Sequence, residues 1–570
     1  MQRSDKVASD YDVIVIGSGF GGAITACRLA QAGRSVCVLE KGRRWNRVDF
    51  PRGPGEVAQS TISSGNRQDA GRGFIEYRTF RTMDVVQGTG VGGGSLHYFN
   101  VHLRPPAFLF NQPAWPKRIT MRRLRPYYTL AADMLEAHPV TDTQELGLPR
   151  RTQVFEDAVS SLGRQADRVP ICVRFSDEHT DSGQKRGCEF CGNCLLGCHV
   201  HAKNTLDLNY IPLAEQHGAV VLPLFQALNI TPDGQGYAVT CTDLSAPPAS
   251  DPRSTMRKFR AQQVVVAAGT LGTNELLLRC KQQSRTLPRL SDQLGKRFSG
   301  NGDFIFAGTR YQSRVVDPGR GPSITAGVGF RKENNQYIYI EDLGYPDPFI
   351  WYFNSAIPTR GRIARLLRQT RRYLGDAFGT GLKFELEELL EDGFFTHFLP
   401  YLGLGTDAAD GTLTLDAKGE IHLHWSIRKS LPMYRDMVDH MKALSAASGG
   451  RFVNSFLWRT PLIRVPLSKT LTAHPLGGCA MSDTPLTGVT NDCGEVWGYK
   501  GLYVADGALM PAAIGVNPSA TISAMAERVA FQMIHGRELR EDDASVPSNR
   551  TTTSKAAPVA VQTNPTTTVV

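Results

Sequence analysis

Residues Tyr11-Asp12-Val13-Ile14-Val15-Ile16 form a β-branched run that stops on Gly17-Ser18-Gly19-Phe20-Gly21-Gly22. A helical pattern follows from Ala23 to Ala32 and is ended by Gly33. It gives way to a second apolar run, Ser35 to Leu39, closed by Glu40. Strand, glycine turn, helix and strand in this order make a βαβ unit, which commits the chain to a parallel sheet with helices on its faces. Within the turn, Gly17, Gly19 and Gly22 complete G-x-G-x-x-G. The first glycine permits the tight turn, the second lets a pyrophosphate approach the backbone, and the third lets the helix lie close on the strand. The helix amino terminus then faces the phosphates. Glu40, at the end of the next strand, is placed to accept from both ribose hydroxyls.

This fingerprint serves NAD and FAD alike, and the rest of the chain separates them. A second glycine loop runs through Gly88-Thr89-Gly90-Val91-Gly92-Gly93-Gly94-Ser95. A third, with Ala268 and Gly269, follows the buried run Gln263 to Ala268. A fourth places Asp506 at the end of Leu502-Tyr503-Val504-Ala505, where it can accept from a ribityl hydroxyl. So many glycine-bearing segments exceed what a nicotinamide site needs and suit a long, buried FAD.

At 570 residues the chain is expected to hold more than one core. The expected fold is α/β. An FAD-binding Rossmann-like domain spans 9–305 and 451–540 and contains a cysteine-rich segment at 187–199. An α+β substrate-binding domain, 306–450, is inserted into it and is built on an antiparallel sheet with strands such as Tyr337 to Ile340 and Ile421 to Trp425. Residues 1–8 have no packing pattern, and 541–570, rich in Ser, Thr, Pro and Ala, read as a disordered tail. No internal repeat is present. No apolar run approaches the roughly 20 residues that cross a bilayer, and the amino terminus has no apolar signal core, so a cytoplasmic protein is expected. A net charge of +10 from 64 basic and 54 acidic residues is mild for this size and excludes a nucleic-acid groove as the organising feature. Arg360 to Arg372 carries six Arg interleaved with Ile363, Leu366 and Leu367. It reads as a solvated helix face, with peripheral membrane contact the less favoured alternative.

The amino-terminal fingerprint, GVGGGS at 90–95, AAGTLGT at 267–273, HPLGG at 474–478 and DGALMPAAIGVNPSATISAMAE at 506–527 together resemble the glucose–methanol–choline family of FAD oxidoreductases. The likeness spans residues 11 to about 535 with the motifs in family order, and it is greatest to the bacterial cholesterol-oxidase-like branch. It implies oxidation of a hydrophobic alcohol, sterol or long-chain, at CH–OH, with hydride passing to flavin N5 and electrons then to O2 or another acceptor. His474 matches the family histidine and is implied as the base; a neutral imidazole titrates near working pH and suits that task. Asn517 matches its partner, which hydrogen-bonds the substrate oxygen. Asn517 and Pro518 also read as the N-cap and first residue of a helix whose positive end faces the flavin. His97 occupies the position where some members attach FAD covalently and others do not. The glutamate that cholesterol oxidases place above the flavin has Glu341 as its candidate by position, although Asp342 to Trp351 departs from the pattern. Tyr337, Tyr339, Phe349, Trp351 and Phe353 fit an apolar pocket and ordinary core packing equally well. Two competing readings are a family lyase without net redox chemistry and a flavin–iron–sulfur electron-transfer partner.

Eleven cysteines without a secretory pattern argue against a disulfide framework. Cys188, Cys191, Cys194 and Cys198 have the C-x2-C-x2-C-x3-C spacing of bacterial ferredoxins, although His199 rather than proline follows. Iron–sulfur ligation, structural thiols and a local disulfide are all compatible with that spacing; zinc, which usually joins two separated pairs, is less so. The segment also resembles that of long-chain fatty alcohol oxidases, and some multi-subunit sugar dehydrogenases of the family hold a cluster beside FAD.

Overall fold

The structure, a computed structural model, describes residues 9–63, 71, 73–141, 146–180, 183–246, 252–346, 395–455 and 469–539. The Arg360–Arg372 stretch, Phe349, Trp351, Phe353, residues 1–8 and the 541–570 tail lie outside the described residues.

The βαβ unit forms as β1 (Asp10–Ile16), α1 (Phe20–Gln31) and β2 (Val36–Glu40). β1 lies between β2 and Met256–Val266 and runs parallel to both. Val220–Pro223 extends the parallel set beyond β2, and Leu502–Val504 extends it beyond Val264 to Val266. Val13, Ile14 and Val15 are fully buried. Helices cover both faces of such a strand, and burial of each side chain stabilises the fold by roughly 1.5–3 kcal/mol. The strand Met256–Val266 starts earlier than its apolar end suggests. Its first half alternates exposed and buried residues and pairs antiparallel with Gly236–Asp243, itself hairpinned to Phe225–Asp233. The helix Ser519–His535 packs beside α1, joined by a buried Arg28–Glu527 ion pair at 2.8 Å.

A second sheet is antiparallel throughout, in the order Arg451–Val453, Phe304–Arg310, Phe398–Gly405, Tyr337–Asp342, Ala326–Arg331, Asp167–Arg168. The helix Leu431–Ala447 sits on it where Gly403 and Gly405 leave room. A Cβ on either glycine would lie 2.3 Å from Met437 Sδ or 2.5 Å from Met433 Sδ, respectively. Arg151, fully buried, pairs with the fully buried Asp342 at 3.0 Å and ties the Arg150–Ser161 helix to the sheet.

Ile421–His424 does not join this sheet. It pairs with Gly411–Leu415, which pairs in turn with Lys296–Ser299 and then Leu476–Gly478. Period-two alternation defines a strand but not its neighbour. The pairing matters for the site, because Ser299 opposite Leu476 brings the turn after Ser299 beside His474. Among the described residues, no helix is long and apolar enough to cross a membrane.

Candidate active site

The glycine loops converge at the carboxyl ends of the parallel strands, where doubly wound sheets place their ligands. A Cβ on Gly17, whose φ is +100°, would lie 2.2 Å from the Ala267 carbonyl oxygen. One on Gly93 would lie 2.6 Å from Gly19 Cα, and one on Gly42 would lie 2.2 Å from the Gly90 nitrogen. Segments up to 250 residues apart therefore touch backbone to backbone. Between them runs a cavity of about 870 Å³ lined by Gly17, Gly19, Glu40, Gly93, Gly94, His97, Ala268, Gly269, Asp506, Asn517, Pro518 and His474. Gly22, Gly92 and Ser95 stand outside the lining. Gly22 seats α1 on β1, with a built Cβ only 1.9 Å from the Gly17 carbonyl oxygen. Ser95 Oγ donates to the Gly92 carbonyl at 2.7 Å and accepts from Leu206 N at 3.1 Å, bracing the loop.

Two buried carboxyls stand in the cavity wall. Glu40 accepts from Ser18 N at 3.0 Å, Ser18 Oγ at 2.6 Å, Gly42 N at 2.8 Å and Gly90 N at 3.2 Å. It thus fastens the first two glycine loops, and Ser18 is a contributor that the motif's x position concealed. Burial pushes its carboxyl up, against those four bonds. Asp506 accepts from Thr273 Oγ1 at 2.5 Å and Ala508 N at 2.9 Å. Burial raises it to about 6. α1 has no side-chain cap, so its first N–H groups face the cavity beside Gly19 unopposed.

His474 and Asn517, 43 positions apart in the chain, line the same cavity. His474 Nδ1 lies 2.8 Å from Oδ1 of the buried Asp303, and the His474 backbone N–H donates to Thr472 Oγ1 at 2.9 Å. Asn517 does not cap the following helix. Pro518 takes the N-cap place, the helix begins at Ser519, and the Asn517 carboxamide donates to Glu341 Oε2 at 3.3 Å. Glu341 is fully buried and does not line the cavity, and burial pushes its carboxyl well above the usual range. Asn517 Oδ1 has no partner and is buried, a polar atom that a bound molecule would satisfy. His97 is buried against the cavity, and desolvation, with Lys203 and then His474 nearby adding to it, lowers the imidazole to about 3. Tyr337 and Tyr339 belong to the sheet core and are absent from the lining.

Family models described as GMC oxidoreductase match residues 11–295 and 409–526. The chain belongs to the GMC oxidoreductase family. It is an FAD-dependent oxidoreductase acting on CH–OH donors. A cholesterol oxidase of Acinetobacter baumannii is 30% identical over 94% of this chain and 96% of its own length. A long-chain-alcohol oxidase, FAO4B of Arabidopsis thaliana, is 22% identical over 92% of this chain and 67% of its own. Pyridoxine 4-oxidase from Mesorbium loti shares the fold, with a TM-score of 0.60 at 15% identity, covering 92% of this chain and 99% of that one. The cavity fits the family's FAD. Glycine backbone lines it, a helix amino terminus enters it uncapped, and Asn517, whose buried amide oxygen has no partner, stands in its wall.

In this GMC oxidoreductase the four cysteines cluster in the fold as well as in the sequence: burial first, then the neighbouring Cys194 and Cys198, push the Cys188 and Cys191 thiols up. Cys188, Cys191, Cys194 and Cys198 are free thiols. Among the described residues, no group of three or more His, Cys, Asp or Glu side chains is arranged to hold a metal ion. Gly192 lies against the Gly319 backbone, and Gly197 against the Phe50 ring. Lys203, buried and missed by the sequence reading, donates to the carbonyls of Cys194 at 2.7 Å, Leu96 at 2.9 Å and Tyr98 at 3.0 Å. It so ties the cysteine loop to the segment that carries His97, and burial lowers it to about 8. Anaerobically purified protein is expected to hold well under about one iron per chain; stoichiometric iron with acid-labile sulfide would show that the four thiols hold a cluster.

Proposed function

We propose that the enzyme oxidises the CH–OH group of a hydrophobic alcohol, a sterol or a long-chain alcohol. His474 takes the hydroxyl proton and Asn517 orients the oxygen. The observation that carries this reading is an imidazole whose Nδ1 is held by a buried carboxylate, sharing one cavity with Asn517 and an apolar wall. That wall consists of Ile305, Phe306, Leu343, Tyr345 and Leu402. An alkyl or ring body is desolvated against it. The relatives' names, cholesterol oxidase and long-chain-alcohol oxidase, point the same way.

FAD, when bound, supplies the two-electron acceptor. The residues that would hold it are the Gly17–Gly19 turn and α1 for the pyrophosphate, Glu40 for a ribose, and Asp506 for the ribityl chain. Gly93, Gly94, His97, Ala268 and Gly269 would give close backbone or ring contact, with Gly92 and Ser95 bracing the loop from outside the lining. The amino terminus of Ser519–His535, preceded by Asn517 and Pro518, offers partial positive charge to the reacting end. His474 needs a neutral Nε2 with its lone pair toward the substrate. An ionised Asp303 only accepts, so it holds the proton on Nδ1. Glu341, whose carboxyl burial pushes up, accepts from the Asn517 carboxamide and limits its turning. The second acceptor is O2 or another carrier.

An anaerobic screen of sterols, fatty alcohols, sugars and aryl alcohols, followed at the oxidised flavin band near about 450 nm, tests the substrate class. Bleaching by sterols or long-chain alcohols is the expected result. Bleaching by sugars alone, or by no alcohol, would overturn it.

A further inference from the structure

We infer that Asp303 is a positioning residue of the reaction, and that the short turn carrying it, residues 299–303, sets the geometry of both His474 and Asn517. The inference rests on His474 being the base, as proposed above. No motif contains Asp303, and its partner is 171 positions away in the chain. The two meet because Lys296–Ser299 pairs with Leu476–Gly478.

Asp303 is buried, and both its oxygens are used. Oδ1 faces His474 Nδ1 at 2.8 Å. Oδ2 accepts from Ala473 N at 2.9 Å and lies 2.9 Å from Thr472 Oγ1. The carboxylate therefore grips the imidazole and the backbone immediately before it. Nδ1 keeps its proton, Nε2 stays basic, and the imidazolium formed on proton uptake has a counter-charge in contact.

The turn itself is over-determined. Buried Asp407 accepts from Ser299 Oγ at 2.7 Å, Gly300 N at 3.0 Å and Gly302 N at 3.3 Å. Asn301 sits in the left-handed region at φ 56°, which asparagine tolerates better than most residues. Its Oδ1 accepts from Ile514 N at 3.0 Å and Gly515 N at 2.9 Å, while Nδ2 donates to the Val516 carbonyl at 2.8 Å. The residues directly before Asn517 are thus held by the same turn that holds His474. Two segments that have no covalent reason to keep a fixed separation share one rigid support.

The test is a double-mutant cycle on the FAD-loaded enzyme, read as the rate of flavin reduction at saturating alcohol. In Asp303→Asn the one remaining oxygen is held by Ala473 N–H and Thr472. The NH2 then faces Nδ1 and favours the tautomer with the proton on Nε2. The expected loss is about 100-fold, with flavin content and the dissociation constant of the alcohol within about threefold of the parent enzyme. In a His474→Ala background the same change should cost nothing further, because its effect passes through the imidazole. A purely structural aspartate would lower flavin content and rate together, and its cost would multiply with that of His474→Ala. Such multiplication, or an Asp303→Asn rate within threefold of the parent, overturns the inference. If the Asn variant does not retain flavin, Asp303→Ala is put through the same cycle and judged by the same two criteria. Failure of the underlying reading is seen separately, as near-normal reduction in His474→Ala alone.

Discussion

His474→Ala is expected to slow flavin reduction by a saturating alcohol by about 100- to 10,000-fold, equivalent to about 3–5 kcal/mol of barrier. That range is what a positioned proton acceptor contributes. Water entering the space left by the ring is the replacement acceptor, since Asp303 bonds Nδ1 and not the nitrogen offered to the substrate. The protein should remain yellow. The cofactor cradle is built from glycine backbone, Glu40 and Asp506, and none of those groups is bonded to the His474 side chain. Anaerobic stopped-flow spectrophotometry with the substrate found in the alcohol screen gives the rate, and the absorbance ratio of flavin to protein gives the content. A variant that reduces at a near-normal rate would remove His474 from the proton-transfer role. A colourless one would show that the ring supports cofactor binding as well.

The second large effect is on assembly of the cofactor site. Gly22→Val is expected to abolish FAD retention and to destabilise the protein by more than about 3 kcal/mol. The built Cβ falls 1.9 Å from the Gly17 carbonyl oxygen and 3.3 Å from Val15 Cγ1, so α1 cannot stay seated on β1. Displacing α1 moves the N–H groups that face the phosphates and opens the contact between Gly21 and the Ala505 carbonyl, which also lies against α1. Gly33→Ala is the control. Gly33 has φ +79° but open space around its Cβ position, so its cost is backbone strain alone, about 1 kcal/mol, with flavin content unchanged. Thermal unfolding and flavin content of the two purified variants check the contrast. Equal behaviour of the pair would mean that close helix–strand packing is not what the third fingerprint glycine is for.

Parts of the molecule governed by neighbours in sequence were legible from sequence. β1, α1 and β2 appear within a few residues of their apolar pattern, because glycine sterics and side-chain periodicity act over a few positions. The helix after Pro518 starts one residue later than capping preference suggests, since Asn517 gives its side chain to Glu341 instead. Long-range partners were not legible. Asp303 lies in Asn301-Gly302-Asp303, which reads as turn chemistry and nothing more. Lys203 looks like an ordinary surface lysine until its three carbonyl acceptors close around it. The cysteine spacing names a ligand set, but the contacts of its glycines, Gly192 on Gly319 and Gly197 on Phe50, are made across the fold and leave no mark in the sequence.

From the chain alone came the dinucleotide fold, the family's motifs and the two side chains, His474 and Asn517, suited to handling a hydroxyl. Sheet register supplied the rest: by setting Ser299 against Leu476 it chose the carboxylate that stands behind the imidazole, and through Asn301 it set where the carboxamide rests. The division is physical. Propensity and sterics act along a few neighbouring residues, whereas a hydrogen bond between groups 171 positions apart exists only after strands have paired.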